Sequence, residues 1–326
     1  MAQFRSLTAS DVREILNSFG LAPDAYRGHA PIAAGTVNTN VRVETSAGLR
    51  FLRINEGKTE DDVAREAAIV AFVAARGVPT PAPARTTAGA PFAIWRGQFV
   101  SLFPWSPGRT LTRGDMTPDY ARQAGAALAK LHRAGETFPD HRPGRYEPDE
   151  IDRRLAHISA AAGADPTLAS AVATLQPELA SLARERRPDV PLGLIHGDLF
   201  IDNVLYDGAV LSSLLDFEQA SWGRLVYDVA VTLLAFAFGR DDFRPEVVRA
   251  LLAGYVAERP PAAAEREAFG AELRFAACRF AVTRITDVYL KRTAGAAPGK
   301  DFGRYLLRLR RVREHLAAAD GLLALE

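Results

Sequence analysis

The chain reads as an α+β protein of two lobes, a small β-rich one over residues 1–103 and a larger, mostly helical one over 104–326. Three observations predict this. Apolar residues before position 103 alternate with period two or form strand-length runs, whereas most later apolar residues recur with helical period. Pro104, Pro107 and Gly108 punctuate the change between the two patterns. Within the helical lobe a single stretch breaks the helical period again, Leu194-Ile-His-Gly-Asp-Leu-Phe-Ile-Asp-Asn-Val-Leu-Tyr206, closed by Leu214-Leu-Asp-Phe-Glu218.

Taken in order, Thr8-Ala-Ser-Asp11 has the spacing of a capping box and opens a short helix through Phe19. Alternation at Val37, Thr39, Val41 and Val43, then Ser46-Ala-Gly48, then Leu49 to Ile54, predicts two antiparallel strands. Before them, Gly35, Thr36 and Asn38 are small enough for backbone N–H groups to close over phosphates, although a plain hairpin explains them equally well. Asp61 to Arg76 is acidic at its start, helical in period and ends at Gly77, which suits the helix dipole and a glycine cap. Pro79, Pro81 and Pro83 enforce an extended connector. Phe92–Trp95 and Phe99–Phe103 form a strand pair turning at Arg96-Gly97. Helices follow from Thr117-Pro118, with proline at the first helical position, to about Arg133, then near 149–162 and 167–187. After the closing acid, residues 227–238 are apolar nearly all round and predict a buried helix. Further helices fit 245–257, 264–292 and 301–318.

Composition narrows the function classes. Apolar residues at 48% and charged residues at 24% are ordinary for a globular protein. A formal charge of +1 gives no reason to expect nucleic acid or an anionic membrane as partner. Cys278 is the single cysteine, which excludes an internal disulfide and a cysteine-rich zinc cluster and fits a reducing cytoplasm. No signal peptide is apparent, and the longest apolar run, 229–238, is too short to span a bilayer. Oligomeric state stays open.

The stretch from Leu194 carries the chemistry. Asp207-Gly208 is a hairpin turn signal, and folding there brings the neighbourhood of Asn203 back toward Asp216, so that His196, Asp198, Asn203 and Asp216 gather at one end of a short sheet. Asp198 precedes Asn203 by the spacing of the kinase catalytic loop, and Asp216-Phe217 stands where kinases carry D-F-G. In that pattern the first aspartate takes the proton of the attacking hydroxyl, and the asparagine and second aspartate hold Mg²⁺ against the phosphates of ATP. Turn hydrogen bonds alone would explain a lone His-Gly-Asp, but not the register of Asn203 and Asp216 as well.

These motifs resemble the aminoglycoside phosphotransferase and choline kinase superfamily, whose fold is protein-kinase-like, over nearly the whole chain. The superfamily features are His196-Gly-Asp198 with Asn203, Asp216-Phe217 and Tyr227-Asp-Val-Ala230. Gly35-Thr-Val-Asn-Thr-Asn40, Ala74-Ala-Arg-Gly-Val-Pro79, Leu251-Leu-Ala-Gly-Tyr255 and Arg274-Phe275 with Thr283-Arg284 resemble the second type of bacterial homoserine kinase. The resemblance implies ATP and Mg²⁺ as cofactors, Asp198 as base, and Asn203 and Asp216 as metal ligands. It implies Glu66 as partner of the nucleotide-positioning cation and Val100 to Phe103, including Ser101 and Phe103, as the hinge against adenine. Asp228 would support the catalytic loop or charge a helix N-terminus, and His196 would buttress that loop rather than react.

Two departures stand out. Arg53 occupies the strand position of the usual phosphate-binding lysine, with Lys58 nearby as the alternative cation. Glu218 replaces the glycine of D-F-G and either meets a substrate amine or is solvated. A zwitterionic acceptor needs an anion and a cation, for which Glu218 and Arg284 are available. The implied reaction is ATP-dependent phosphorylation of a hydroxyl on a small amino acid or amino alcohol. L-homoserine to O-phospho-L-homoserine, a step of threonine biosynthesis, comes first. Choline, hydroxylysine, methylthioribose and aminoglycosides are the alternative acceptors, and a non-catalytic nucleotide-binding pseudokinase is the alternative class.

Overall fold

The computed structural model describes residues 5–32, 38–163, 165–292 and 301–315. They fall into two compact units, Met1–Gly108 with Ser212–Glu218, and Arg109–Leu211 with Gln219–Glu326.

In the first unit α1 (Ala9–Ser18) begins with the expected box. Thr8 Oγ1 accepts from the Asp11 N–H at 3.2 Å, and Asp11 Oδ2 accepts from the Thr8 N–H at 2.8 Å. Strands β1 (Tyr26–Ile32), β2 (Thr39–Thr45) and β3 (Gly48–Ile54) follow, then α2 (Glu60–Ala74), β4 (Ala93–Trp95) and β5 (Gln98–Pro104). Thr59 and Asp62 cap α2 as Thr8 and Asp11 cap α1. The five strands form one antiparallel sheet in the order β1-β2-β3-β5-β4. Alternation in β2 buries Val41 and Val43, which pack with Leu52, Ile54, Val100 and Leu102 against Val12, Ile15 and Leu16 of α1. Register places Arg53 opposite Ser101 on the adjacent central strands. Sequence patterning misses β1, because Tyr-Arg-Gly-His-Ala-Pro-Ile is an edge strand with no alternation to read and a proline in it.

The second unit is helical: α3 (Pro118–Gly135), α4 (Pro148–Ala162), α5 (Pro166–Glu185), then strands β6 (Leu192–Ile195), β7 (Val204–Asp207), β8 (Val210–Leu214) and β9 (Ser221–Arg224), then α6 (Leu225–Phe236), α7 (Pro245–Glu258), α8 (Ala263–Arg284) and α9 (Gly303–His315). Residues 212–214 of β8 belong to the first unit. The hairpin β7–β8 turns at Gly208, φ 58°, as expected from Asp207-Gly208. One expectation is corrected here. The short strands do not form a single sheet: β6 pairs with β9, and β7 with β8. Ser221-Trp-Gly-Arg is too short to signal a strand, so the sequence offers β6 no visible partner. The helix expected over 264–292 is α-helical to Arg284 and continues as a π-helix over Ile285–Tyr289. Among the described residues no helix is long and apolar enough to cross a membrane.

Helices α3 and α7 approach so closely that backbone meets backbone. A Cβ at Gly125 would overlap the carbonyl oxygen of Leu251, and one at Gly254 the carbonyl oxygen of Arg122. Backbone cannot rotate away as a side chain can. Gly125→Ala is therefore expected to lower unfolding stability by about 3 kcal/mol, the upper end of overpacking penalties, measured by urea denaturation. A change under about 0.5 kcal/mol, typical of a surface site, would show that the helices separate freely.

Candidate active site

Gly197 fixes the loop after β6. It has φ 74°, and a Cβ there would lie 2.8 Å from the Gln219 carbonyl oxygen, so a side chain is excluded by conformation and by space. His196 before it and Leu199 after it are fully buried, while Asp198 is half-buried. Asn203 Nδ2 donates to the Asp198 carbonyl oxygen at 2.9 Å, closing the five-residue loop on itself. The Asn203 side-chain oxygen accepts no hydrogen bond among the described residues.

Asp228, on the first turn of α6, is fully buried beneath this loop. Its carboxylate accepts from the N–H of His196 at 2.6 Å and of Gly197 at 2.8 Å. Burial by itself would raise its pKa. The hydrogen bond and electrostatics of His132, with the electrostatics and backbone N–H of His196, outweigh burial and hold the carboxyl below its usual range.

His132 is a site residue that sequence reasoning missed. It is fully buried on α3, with Nε2 3.1 Å from Asp228 and Nδ1 2.8 Å from the Tyr255 hydroxyl. Arg259 donates to the same hydroxyl oxygen at 3.0 Å and to Glu265 at 2.9 Å. Arginine has only donors, so the Tyr255 proton points to His132 Nδ1 and the Nε2 proton to Asp228, leaving every member satisfied. Burial pushes the Tyr255 phenol up, which keeps it a donor.

Arg279 was also missed. It is 3% exposed on α8, and its Nη1 lies 3.6 Å from Asp198 Oδ1. The expected substrate cation Arg284 donates instead to the Asp301 carbonyl oxygen at 3.0 Å and lies 4.5 Å over the Tyr305 ring. Burial lowers its pKa, and Asp198 is among the charges that act on it.

In the first unit the nucleotide-side expectations form a compact ionic cluster. Arg53, buried on β3, pairs with Glu66 of α2 at 2.7 Å, as the expected partnership of that cation with Glu66 requires. Glu218 joins the two alternative cations, with Lys58 at 2.7 Å and Arg53 Nη1 at 3.9 Å, and Asn38 Nδ2 donates to it at 2.6 Å. Burial would raise the pKa of Glu218, but Lys58, Arg53 and Asn38 together hold it below the usual carboxylate range. Glu218 is thus neither simply solvated nor free of protein partners. Two residues before it Asp216 is exposed, at φ 63°, a left-handed conformation that costs a non-glycine residue energy and often marks functional turns. Its charge acts on Arg53.

The expected hinge lies wholly inside β5. Ser101 is buried, its hydroxyl taken by Asn55 at 3.1 Å, and the Leu102 carbonyl accepts from the Ala84 N–H at 2.7 Å. Those two groups therefore serve the protein rather than an adenine. Phe103 packs under Arg53, 5.5 Å from the guanidinium. Gly35 and Thr36 lie outside the described residues.

Comparison with known proteins agrees with these motifs. Residues 29–269 match the model of the phosphotransferase enzyme family. A homoserine kinase of Caulobacter sp. (strain K31) is 34% identical over 88% of this chain and 89% of its own length. Another, of Rhodopseudomonas palustris (strain BisB18), is 32% identical over 99% of this chain and all of its own length. Among solved structures, an aminoglycoside phosphotransferase of Alicyclobacillus acidocaldarius superposes with a TM-score of 0.69 at 16% identity, over 99% of this chain and 98% of that one. A microcompartment-associated aminopropanol kinase gives 0.69 at 18%, over 97% and 99%. Identities this low establish the protein-kinase-like fold alone. The family model and the relatives a third identical along nearly the full chain go further: this protein belongs to the phosphotransferase enzyme family and is an ATP-dependent phosphotransferase.

Proposed function

We propose that the chain phosphorylates the hydroxyl of L-homoserine, with Asp198 as general base. The observation that carries the acceptor is the name shared by relatives that align along nearly the whole chain. Asp198 is supported as base by its half-exposed carboxylate on a loop held from below by Asp228 and from the side by Asn203. Such a carboxylate orients the attacking hydroxyl and takes its proton late, because phosphoryl transfer passes through a loose transition state.

Asn203 and Asp216 are the proposed Mg²⁺ ligands, on motif spacing and donor chemistry. Both offer hard oxygens, as Mg²⁺ prefers, and two protein ligands leave the remaining positions to phosphate and water. The metal supplies charge neutralisation of the phosphates. Arg53, held by Glu66, and Lys58 are the proposed phosphate cations, with Gly35, Thr36 and Asn38 as the covering loop and residues 100–103 beside adenine through groups other than the Ser101 hydroxyl and the Leu102 carbonyl. One buried cysteine suits a reducing cytoplasm.

Steady-state kinetics test this reading. L-homoserine is expected to exceed L-serine in kcat/KM by about 10–200-fold, the value of one methylene in a fitted site. Choline, hydroxylysine and kanamycin should be poorer still. Chelation should abolish turnover and Mg²⁺ restore it. A better acceptor than homoserine would remove the substrate assignment, and full activity after chelation would remove the metal ligands.

A further inference from the structure

A pocket of about 300 Å³ opens in the second unit, lined in part by Tyr146, Gly197, Arg224, Tyr227 and Arg279. Gly197 directly precedes the proposed base, and Arg279 touches it at 3.6 Å. Behind the wall Glu272 is fully buried between two guanidiniums, with Arg186 Nη2 at 2.9 Å and Arg224 Nε at 2.8 Å. Arg145, Arg186, Arg224 and Arg279 line the pocket against one lining carboxyl, Glu147, so even with Glu272 behind the wall and Asp198 beside Arg279 the arginines are in excess by one.

Arg279 is stacked rather than hydrogen-bonded. Its guanidinium lies 4.1 Å from the Tyr146 ring centre and 3.8 Å from that of Phe280. Its Nε is buried without a hydrogen-bond partner among the described residues, and so is Arg224 Nη2. Buried charged donors ordinarily have acceptors, because leaving one unmade forfeits a strong interaction. Arg279 and Arg224, each carrying such a donor, both line the pocket, and two unpaired guanidinium donors beside one cavity call for an anionic ligand with several oxygens.

We infer that Arg279, assisted by Arg224, binds the α-carboxylate of the acceptor, which sets the substrate class as hydroxylated amino acids rather than amino alcohols. This rests on the kinase reading with Asp198 as base. It makes Arg279 a specificity residue: the carboxylate is held at one end so that the hydroxyl reaches Asp198 at the other.

The test compares L-homoserine with 3-aminopropan-1-ol, the same molecule without its carboxylate, in wild type, Arg279→Met and Arg279→Lys. In Arg279→Met, kcat/KM for homoserine should fall about 10²-fold, the worth of hydrogen bonds to a charged group, mainly through KM. The aminopropanol value should fall at least about 10-fold less than the homoserine value, because that acceptor has no carboxylate for Arg279 to hold and feels only the loss of the charge beside Asp198. Arg279→Lys, which keeps the charge and a long stem, should fall in between and guards against a misfolded methionine variant. Equal losses on both acceptors would mean that Arg279 acts only through Asp198, and a raised KM for ATP instead would mean that it holds phosphate. Either result overturns the inference, as does no loss at all. Should wild type prefer hydroxylysine with the same Arg279 dependence, the carboxylate site stands and the homoserine assignment falls.

Discussion

Asp198→Asn lowers turnover by about 10²–10⁴-fold, the usual worth of general-base catalysis, while ATP affinity and the folded state are retained. The amide is nearly isosteric with the carboxylate and can still accept a hydrogen bond from the acceptor hydroxyl, but it cannot take the proton. The clamp from Asn203 survives, because it is made to the backbone carbonyl of residue 198 and not to its side chain. Backbone anchoring through His196 and Gly197 is equally untouched. Loss therefore appears in kcat, and calorimetric ATP binding and the melting curve stay near wild type. Full activity in this variant would remove Asp198 as base.

Asp228→Asn is expected to lower the stability of the protein by about 3–5 kcal/mol, as when one partner of a buried charge network is removed. Asp228 accepts from two backbone N–H groups and from His132 with no solvent nearby. An asparagine has one acceptor oxygen, and its NH₂ would face a donor. The pH dependence follows from the depressed folded-state pKa. Such a group contributes stability that is fully present above the ordinary carboxylate pKa, about 3.9 for aspartate. That contribution is lost as pH falls through the lower folded value. The stability gap between wild type and Asp228→Asn, measured by urea unfolding, should thus be constant from neutral pH down to about pH 5 and then narrow in stronger acid. A gap that vanishes already near neutral pH would contradict an ionised Asp228.

Much of the fold is legible in the chain because its signals are local. Thr8 with Asp11 and Thr59 with Asp62 each satisfy orphan helix N–H groups within one turn. Arg96-Gly97 and Asp207-Gly208 set their turns through glycines, Gly97 at φ 74° and Gly208 at φ 58°, which accept positive φ without strain. The loop around Asp198 is legible for the same reason, since Asn203 closes it from five residues away. What stays hidden is long-range. His132 meets Asp228 from 96 residues away, and Arg279 meets Asp198 from 81 residues away, counting 279 − 198. Each sits in a helix whose period marks it only as an inward-facing polar residue. Likewise Ser101 looks available in sequence, but Asn55 takes its hydroxyl.

The most direct measurement is a competition among acceptors. Wild-type protein receives ATP, Mg²⁺ and equal concentrations of L-homoserine, L-serine, choline, hydroxylysine and kanamycin, and the phosphorylated products are identified by mass spectrometry and phosphorus NMR. O-phospho-L-homoserine should dominate, and the same mixture with Asp198→Asn should yield almost none in the same time. A different dominant phosphoester, or undiminished O-phosphohomoserine from the asparagine variant, would contradict the account.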